Sequence, residues 1–330
     1  TGYRYADLYK STEARNFGVD REGVPLPPGS PITDVSDTPW VFIREGARQD
    51  WYMYLQDIWR LTDDWEFTTG IRYDEYSDFG KTINPRLALV WQVRSDLTTK
   101  LLYGRAFRAP SFNQLNSDNN PVLLGNPNLK PETIETWELA FDYRASSNLN
   151  LGLNLFTYEI TDKILYEPDP SGDINRAQNT GQQDGQGLEL EVRWKMTKKS
   201  SLLFNYAFQE STDKNNNHDV GNAPHHQVYL RTDWLLVPNW FLNTQVNWVG
   251  KRGRAFGDPR ADLDDYATVD LTLRRKNLKE AWNFAVGVRN LLDEDAREPS
   301  PGPDSSGIIN IPNDLPLAGR NYWLELRYHF

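Results

Sequence analysis

The chain has 330 residues, a formal net charge of −10 and a mean hydropathy of −0.68, yet 13% of its residues are aromatic and 12 are Trp. The negative charge argues against general nucleic-acid binding, which needs a basic surface to replace counterions. The absence of cysteine excludes a disulfide framework, a thiolate metal site and a cysteine nucleophile.

No apolar run approaches the roughly 20 residues that a transmembrane helix needs. The longest runs, Leu87–Trp91 and Trp234–Val237, are far too short. Twelve Trp in so polar a chain nevertheless require a large apolar surface. A transmembrane β-barrel satisfies both conditions, because it shows lipid only at every second residue and fills the other positions with polar groups.

In chain order, a period-two alternation of apolar and polar residues predicts about 14 strands. They lie near residues 1–9, 47–60, 65–77, 83–94, 97–107, 133–145, 149–167, 186–196, 200–212, 224–236, 240–252, 265–276, 281–293 and 319–330. Strands in soluble proteins usually have about 5–6 residues, whereas a tilted strand needs about 9–11 to cross a bilayer. The lengths therefore predict an all-β fold, a transmembrane antiparallel up-and-down β-barrel.

The connections between these strands alternate in length. Short turns are predicted at 61–64, 95–96, 146–148, 197–199, 237–239 and 277–280, and the others at 10–46, 78–82, 108–132, 168–183, 213–223, 253–264 and 294–318, of which only 78–82 is brief. Prolines inside 108–132 cannot donate to a strand ladder, which makes that segment a loop. Outer-membrane barrels have short periplasmic turns and long extracellular loops, so the alternation assigns a side of the membrane to every connection.

The last predicted strand separates two faces. Tyr322, Leu324, Leu326, Tyr328 and Phe330 share one face, and Trp323, Glu325, Arg327 and His329 share the other. Ending on an aromatic residue resembles the C-terminal signal of bacterial outer-membrane barrels, which would place Phe330 at the periplasmic end.

The placement of the Trp residues independently indicates a membrane boundary. Seven Trp lie close to the predicted periplasmic turns: Trp59, Trp65, Trp91, Trp194, Trp234, Trp240 and Trp282. Such clustering at one boundary is typical of an aromatic girdle.

Three stretches carry a resemblance to a known family. The first is Tyr103–Phe112, followed by Gly125–Glu132; the second is Asn179–Gly181 with Gly185–Leu190; the third is Asn290–Asp293, followed by Gly319–Tyr322. In this order and spacing the chain resembles the barrel of TonB-dependent outer-membrane receptors, which import ferric siderophores, vitamin B12 and haem. Gln56-Asp57 and Gly70–Asp74 also fit this resemblance.

The resemblance implies a barrel of about 22 strands around an N-terminal plug. Because we count only about 14 strands and recognise no plug, we expect residues 1–330 to be the C-terminal portion of such a barrel. A complete 14-strand passive channel is the alternative, and a soluble sugar-binding β domain is disfavoured by strand length. The implied partners are the TonB complex, acting through a plug outside this chain, a ferric siderophore or similar ligand, and outer-membrane lipid and lipopolysaccharide. Neither an enzymatic activity nor a cofactor is implied.

Ligand contacts are expected on the extracellular loops and the outer strand ends. Ferric siderophores are often anionic and aromatic, so Arg and aromatic side chains complement them. The candidates are Arg108, Phe112, Tyr166, Arg176, Arg254, Phe256 and Arg320. For Arg320 a salt bridge is the simpler expectation. We rank vitamin B12 second and haem third, because residues 111–125 lack the His that haem receptors of this family carry there.

Other motifs carry weaker indications. We expect His218, His225 and His226 to be solvated loop residues, because no carboxylate or Cys at ligand spacing supports a metal site. The acidic run Asp258–Asp265 lacks the spacing of a calcium loop, which favours a solvated loop. Gly185 and Gly187 at a strand start predict a bulge or a close backbone approach. No catalytic constellation is apparent.

Overall fold

The computed structural model describes residues 1–8, 10–169, 174–278, 281–303 and 307–328. In chain order the elements are β1 (Gly2–Leu8), β2 (Ala14–Arg15), β3 (Thr33–Asp34), β4 (Gly46–Arg60), β5 (Trp65–Tyr76), β6 (Gly80–Arg94), β7 (Leu97–Arg108), α1 (Phe112–Asn116), β8 (Leu123–Leu124), β9 (Glu132–Ser146), β10 (Leu149–Pro168), β11 (Asn175–Thr197), β12 (Ser200–Asp213), β13 (His218–Asp219), β14 (His226–Val237), β15 (Trp240–Gly250), β16 (Tyr266–Leu278), β17 (Trp282–Arg289), β18 (Arg297–Glu298), β19 (Leu315–Pro316) and β20 (Asn321–Tyr328). The predicted periplasmic residue Phe330 and its neighbour His329 lie outside the described residues. No helix among the described residues is long and apolar enough to span a membrane.

Fourteen of these strands form one antiparallel meander in the order β1-β4-β5-β6-β7-β9-β10-β11-β12-β14-β15-β16-β17-β20. Each strand of this meander pairs with the next one in it, which confirms the predicted up-and-down topology and the number of strands. β1, β17 and β20, with 7, 8 and 8 residues, are shorter than the predicted strands. The short strands β8 and β13 attach to β11 and β12. Two small ladders, β2–β3 and β18–β19, lie within the long connections.

The connections alternate between short turns and longer loops as predicted, including the brief β5–β6 connection, and the β10–β11 connection is the exception. Two residues separate β6 from β7, β9 from β10, β11 from β12 and β14 from β15, whereas the connections after β7 and β17 contain much longer loops. The predicted loop at 108–132 carries only α1 and β8. Ser111 caps α1 in a capping box with Gln114, which orders the start of that loop.

The predicted loop at 168–183 is wrong for most of its length. β10 and β11 have 20 and 23 residues, and their pairing continues as far as the pair formed by Pro168 and Asn175. The segment 178–186 is rich in Gln and Asn on both faces, so it shows no apolar alternation although it pairs. A hairpin that extends beyond the bilayer has no lipid face to impose that pattern.

The two faces of the sheet differ in chemistry. One face exposes apolar side chains: Leu55 is 72% exposed and lies opposite Ile71, and Leu324 is 68% exposed and lies opposite Val286. The other face carries ionised groups such as Asp74, which is fully buried against Arg72. An exposed apolar face opposite a polar one is the pattern of a strand between lipid and a barrel lumen.

The predicted girdle Trp all lie on strands next to short turns. Five of them are exposed: Trp59, Trp91, Trp194, Trp234 and Trp282. Trp65 stacks on Trp91 across the β5–β6 ladder with ring centroids 4.8 Å apart. This end of the sheet therefore presents the aromatic belt of a membrane boundary.

Gly185 and Gly187 allow groups of the neighbouring strands to lie close to the β11 backbone. A Cβ at Gly185 would lie 2.5 Å from the Tyr158 ring, and a Cβ at Gly187 would lie 2.3 Å from the Phe208 carbonyl oxygen. The β10–β11 and β11–β12 ladders remain regular at both positions, so the close approach is present and the bulge is not.

The sheet is not closed. Among the described residues no ladder joins β1 to β20. An open sheet edge is unfavourable in lipid, because its backbone groups find no partners there.

Candidate functional site

The long connections gather at the end of the sheet opposite the Trp belt, and all seven predicted ligand contacts lie at that outer end. The structure divides them into two groups. Four of them surround the loop between β7 and β9: Arg108, Phe112, Tyr166 and Arg176. Three belong to the last two long connections: Arg254, Phe256 and Arg320.

Arg108 ends β7 directly opposite Glu132, the first residue of β9. Its guanidinium donates two hydrogen bonds to the Glu132 carboxylate. That carboxylate also accepts the Ile164 N–H at 2.7 Å. Arg108 is thus held in a bidentate pair, although its side chain stays 56% exposed. It could reach a ligand only beside Glu132 or by leaving it.

Phe112 lies at the start of α1 and packs against the guanidinium of Arg48, a residue that was not among the predicted ligand contacts. The Arg48 guanidinium lies 5.0 Å from the Phe112 ring centroid and 5.1 Å from that of Phe79. It also contacts the Asp78 carboxylate at 2.7 Å and donates to the Pro110 carbonyl oxygen. Arg48 thereby ties the outer ends of β4 and β5 to the 108–132 loop. Its position at the outer end of a predicted strand was the only signal in the sequence.

Tyr166 and Arg176 support the same loop from the β10–β11 hairpin. Tyr166 packs against a small core made of Leu115, Leu129, Ile164 and Ala177. The Tyr166 hydroxyl is buried without a hydrogen-bond partner among the described residues, which leaves a donor for a group entering there. Arg176 donates to the Gly125 carbonyl oxygen at 3.0 Å.

Arg254 lies in an ion-pair network that joins the β15–β16 and β17–β20 connections. Its guanidinium donates to both oxygens of Asp314, at 2.9 and 2.7 Å. Arg260 reaches the same carboxylate at 3.5 Å and pairs with Asp258 at 2.6 Å. We call this set, completed by Ser300, the loop latch.

The latch controls the charge state of its acids. Hydrogen bonds from Arg254, and then from Ser300, hold the pKa of Asp314 well below its usual range. A hydrogen bond from the Arg260 side chain likewise lowers the pKa of Asp258. Arg254 is only 7% exposed. The geometry therefore gives Arg254 a role in fixing the loops, whereas its predicted ligand contact would need the latch to open.

The last two candidates have different surroundings. Phe256 is 64% exposed and stacks on the His218 ring at 4.6 Å between centroids. The backbone N–H and the guanidinium of Arg320 both donate to Asp293, and these hydrogen bonds lower the pKa of that carboxyl group. The predicted salt bridge of Arg320 is therefore present. Phe256 has the most accessible side chain of the seven candidates.

The expectation of solvated loop histidines is correct only for His218, because the His225 side chain is 13% exposed and His226 is the first residue of β14. His225 lies 2.6 Å from Asp219, and His226 lies 2.8 Å from the Tyr206 hydroxyl. Within the described ranges no group of three or more potential metal ligands comes together. The expected solvated acidic loop is only partly correct, because the Asp258 side chain is 4% exposed against Arg260 and the carboxylates of Asp262 and Asp265 accept backbone N–H groups.

The fold and the two-faced sheet define the chain as part of an outer-membrane β-barrel. A family model described as "TonB dependent receptor-like, beta-barrel" matches residues 1–291. The chain belongs to this family of outer-membrane proteins, which confirms the resemblance recognised from its motifs.

Relatives with known names show the breadth of that family. The chain is 24% identical to the iron-regulated outer membrane virulence protein of Vibrio cholerae over 86% of this chain and 45% of the relative. It is 31% identical to the vitamin B12 transporter BtuB of Photobacterium profundum over 76% of this chain and 40% of the relative. A probable TonB-dependent siderophore receptor PirA of Acinetobacter baumannii is 22% identical over 84% of this chain and 42% of the relative. The chain thus spans less than half the length of these relatives.

Solved structures support the fold. A ferric enterobactin receptor of Pseudomonas aeruginosa superimposes with a TM-score of 0.77 at 21% identity, covering 99% of this chain and 50% of that one. The siderophore receptor PirA from Acinetobacter baumannii gives a TM-score of 0.73 at 20% identity, covering 87% and 46%.

Proposed function

We propose that this chain forms the C-terminal part of the barrel of a receptor that imports an anionic ferric siderophore. The observation that carries the proposal is the gathering of basic and aromatic side chains around the 108–132 loop. Arg108, Phe112, Tyr166 and Arg176 converge there from four elements, β7, α1, β10 and β11. Such a surface complements an anionic, aromatic iron chelate better than a neutral ligand.

The rest of the receptor lies outside this chain in this proposal. No ladder among the described residues joins β1 to β20. In the proposed receptor, strands outside this chain therefore close the barrel. A plug fills the lumen and couples transport to the TonB complex. The exposed apolar face contacts outer-membrane lipid, and its outer rim contacts lipopolysaccharide.

Vitamin B12 is the second candidate, favoured by the 31% identity to a vitamin B12 transporter. Haem ranks third. A ligand panel on the full-length receptor separates the three: ferric catecholate and hydroxamate siderophores, their iron-free forms, cyanocobalamin and haem, each titrated by intrinsic Trp fluorescence. The proposal expects saturable binding of an iron-loaded siderophore with weaker binding of its iron-free form. Tight binding of cyanocobalamin or haem alone would refute the siderophore assignment.

A further inference from the structure

Arg275 is a positively charged residue on the apolar face of the sheet, at its Trp-belt end. Leu271, Leu273 and Arg275 share one face of β16, because side chains alternate along a strand. Leu273 lies directly opposite Val286, whose side chain is exposed on the apolar face. Arg275 therefore ends an apolar stripe, three residues before β16 ends at Leu278.

Aromatic rings flank Arg275 on both neighbouring strands. Arg275 lies directly opposite Trp240 on β15 and directly opposite Phe284 on β17. Its guanidinium lies 5.2 Å from the centroid of the Trp240 ring, within the distance at which an aromatic face attracts a cation. The rings hold the cation at the membrane boundary but do not neutralise its charge.

The described part of the chain supplies no anion to Arg275. Its Nε–H group is buried and has no acceptor there, and its guanidinium makes no ion pair with any described carboxylate. Arg327, on the polar face of the same end of the sheet, is paired with Glu325 at 3.1 Å. A cation on a lipid-facing surface is unfavourable unless an anion reaches it. The lipid itself is the remaining source of that anion.

The depth of Arg275 indicates which part of the lipid it meets. Val269 precedes Arg275 by six residues on the same face of β16, about 20 Å at about 3.3 Å per residue. At a strand tilt of about 40° this distance is a rise of about 15 Å, half of a hydrocarbon core of roughly 30 Å. The end with short turns is the periplasmic one. When the stripe covers the acyl chains of the periplasmic leaflet, the guanidinium is therefore level with the phosphates of that leaflet.

The parts of the proposed receptor outside this chain leave this face uncovered. A plug would fill the lumen, which lies on the opposite side of β16. The strands that close the barrel would adjoin the edge strands β1 and β20, and β17 separates β16 from the β20 edge. The surroundings of Arg275 on the lipid face are thus complete within this chain.

We infer that Arg275 binds the phosphate of an anionic phospholipid in the periplasmic leaflet, with Trp240 beside the headgroup and the stripe that ends at Leu273 along the acyl chains. A guanidinium can donate to two phosphate oxygens at once. Neither Trp240 nor Phe284 offers a carboxylate to the ammonium group of a zwitterionic lipid, which favours a headgroup with net negative charge. The inference rests on the outer-membrane placement of the chain and not on the nutrient that is imported.

A fluorescent label beside the site tests this inference locally. The chain has no cysteine, so bimane on Val286→Cys, in a full-length receptor without other accessible cysteines, reports on the lipid one row from Arg275. The receptor is reconstituted into vesicles that mix phosphatidylglycerol and phosphatidylcholine, with one of the two lipids brominated on its acyl chains. Quenching of bimane by bromine then gives the relative binding constant of the two lipids beside the label.

Phosphatidylglycerol should bind about fivefold more tightly than phosphatidylcholine, the factor expected for one basic residue at a lipid surface. Arg275→Gln should remove this preference. Arg275→Leu should remove it equally, and it serves as the second variant because Leu suits a lipid-facing position. Heat-modifiable migration on gels shows that each variant is folded. A preference that persists in the folded variants, or that is absent from the unsubstituted receptor, would overturn the site.

Two controls separate a local site from a general effect of charge. Arg274→Gln removes the same charge from the neighbouring residue on the polar face and should keep the preference. Bimane on Leu101→Cys lies at matched depth on the apolar face, one row from Trp91, and should report no preference in either background. Equal effects of Arg274→Gln and Arg275→Gln, or an equal preference at the two labels, would overturn a local site.

Inorganic phosphate distinguishes a lipid site from a site for the free anion. An excess of it should leave the preference for phosphatidylglycerol unchanged, because only the lipid is also held by its acyl chains. Loss of the preference would assign Arg275 to free phosphate and overturn the lipid site. Absence of siderophore uptake by the receptor would refute the proposed function instead, and the quenching ratios would still decide whether the lipid site exists.

Discussion

Replacing Asp314 with Ala should release the loop latch. The Asp314 carboxylate accepts two hydrogen bonds from Arg254 and one from the Ser300 N–H. Removing one partner of a buried ion pair costs about 3–5 kcal/mol. The Asp314 and Arg254 side chains are still 12% and 7% exposed. We therefore expect a loss of stability at the lower end of that range, about 3 kcal/mol.

The readout is local, since the latch joins loops and not strands. Amide hydrogen exchange should accelerate about 100-fold across residues 290–303 and 307–320, which is the factor that about 3 kcal/mol represents. The ladder amides of β16 and β17 should keep their protection. Asp295→Ala is the matched control in the same loop: its pair with Arg297 is exposed and should contribute less than about 1 kcal/mol. Equal effects of the two substitutions would refute the latch.

The latch also predicts a pH response. The pKa of Asp314 is lowered in the folded protein, so its stabilisation is present above the unfolded pKa, near 3.9, and is lost only as the pH falls towards the folded pKa. Protection of residues 290–303 and 307–320, corrected for intrinsic exchange, should therefore stay flat between about pH 5 and 8. Loss of protection between pH 7 and 5 would contradict this assignment.

The remaining predictions concern the membrane faces and the mouth. Val192→Arg on the apolar face should cost roughly 2–4 kcal/mol in a folding titration into lipid, whereas Glu191→Arg on the polar face should cost far less; equal costs would reverse the faces. Phe256→Ala should weaken ferric siderophore binding to the full-length receptor by about 1 kcal/mol, as loss of one aromatic contact, and unchanged affinity would remove Phe256 from the site. Arg108→Ala should weaken siderophore binding by about 1.5–3 kcal/mol if the Arg108 guanidinium donates to the ligand, and unchanged binding would show that Arg108 pairs only with Glu132.

The sequence predicts the membrane part of the fold because lipid imposes the pattern. Every second residue must be apolar where a strand crosses the bilayer, so strands such as β15 and β20 are readable from alternation alone. The outer hairpin of β10 and β11 has no such constraint, and its polar residues resemble a loop. Proline and glycine fix where ladders stop, which explains why the 108–132 loop was predicted.

The candidate site is predictable only by residue type. Arg254 was a reasonable ligand contact in the sequence, but its partner Asp314 lies 60 residues away and only the fold brings them together. Arg108 and Glu132 meet for the same reason, at facing ends of paired strands.

Uptake of radioactive iron by cells that express the full-length receptor shows whether this barrel belongs to an importer driven by TonB. The iron is supplied as a siderophore chelate to matched cells with and without a functional TonB complex. An importer driven by TonB should give saturable accumulation that requires both the receptor and TonB, with surface binding retained when TonB is absent. Equal accumulation without TonB would indicate a passive channel and would refute import by such a receptor.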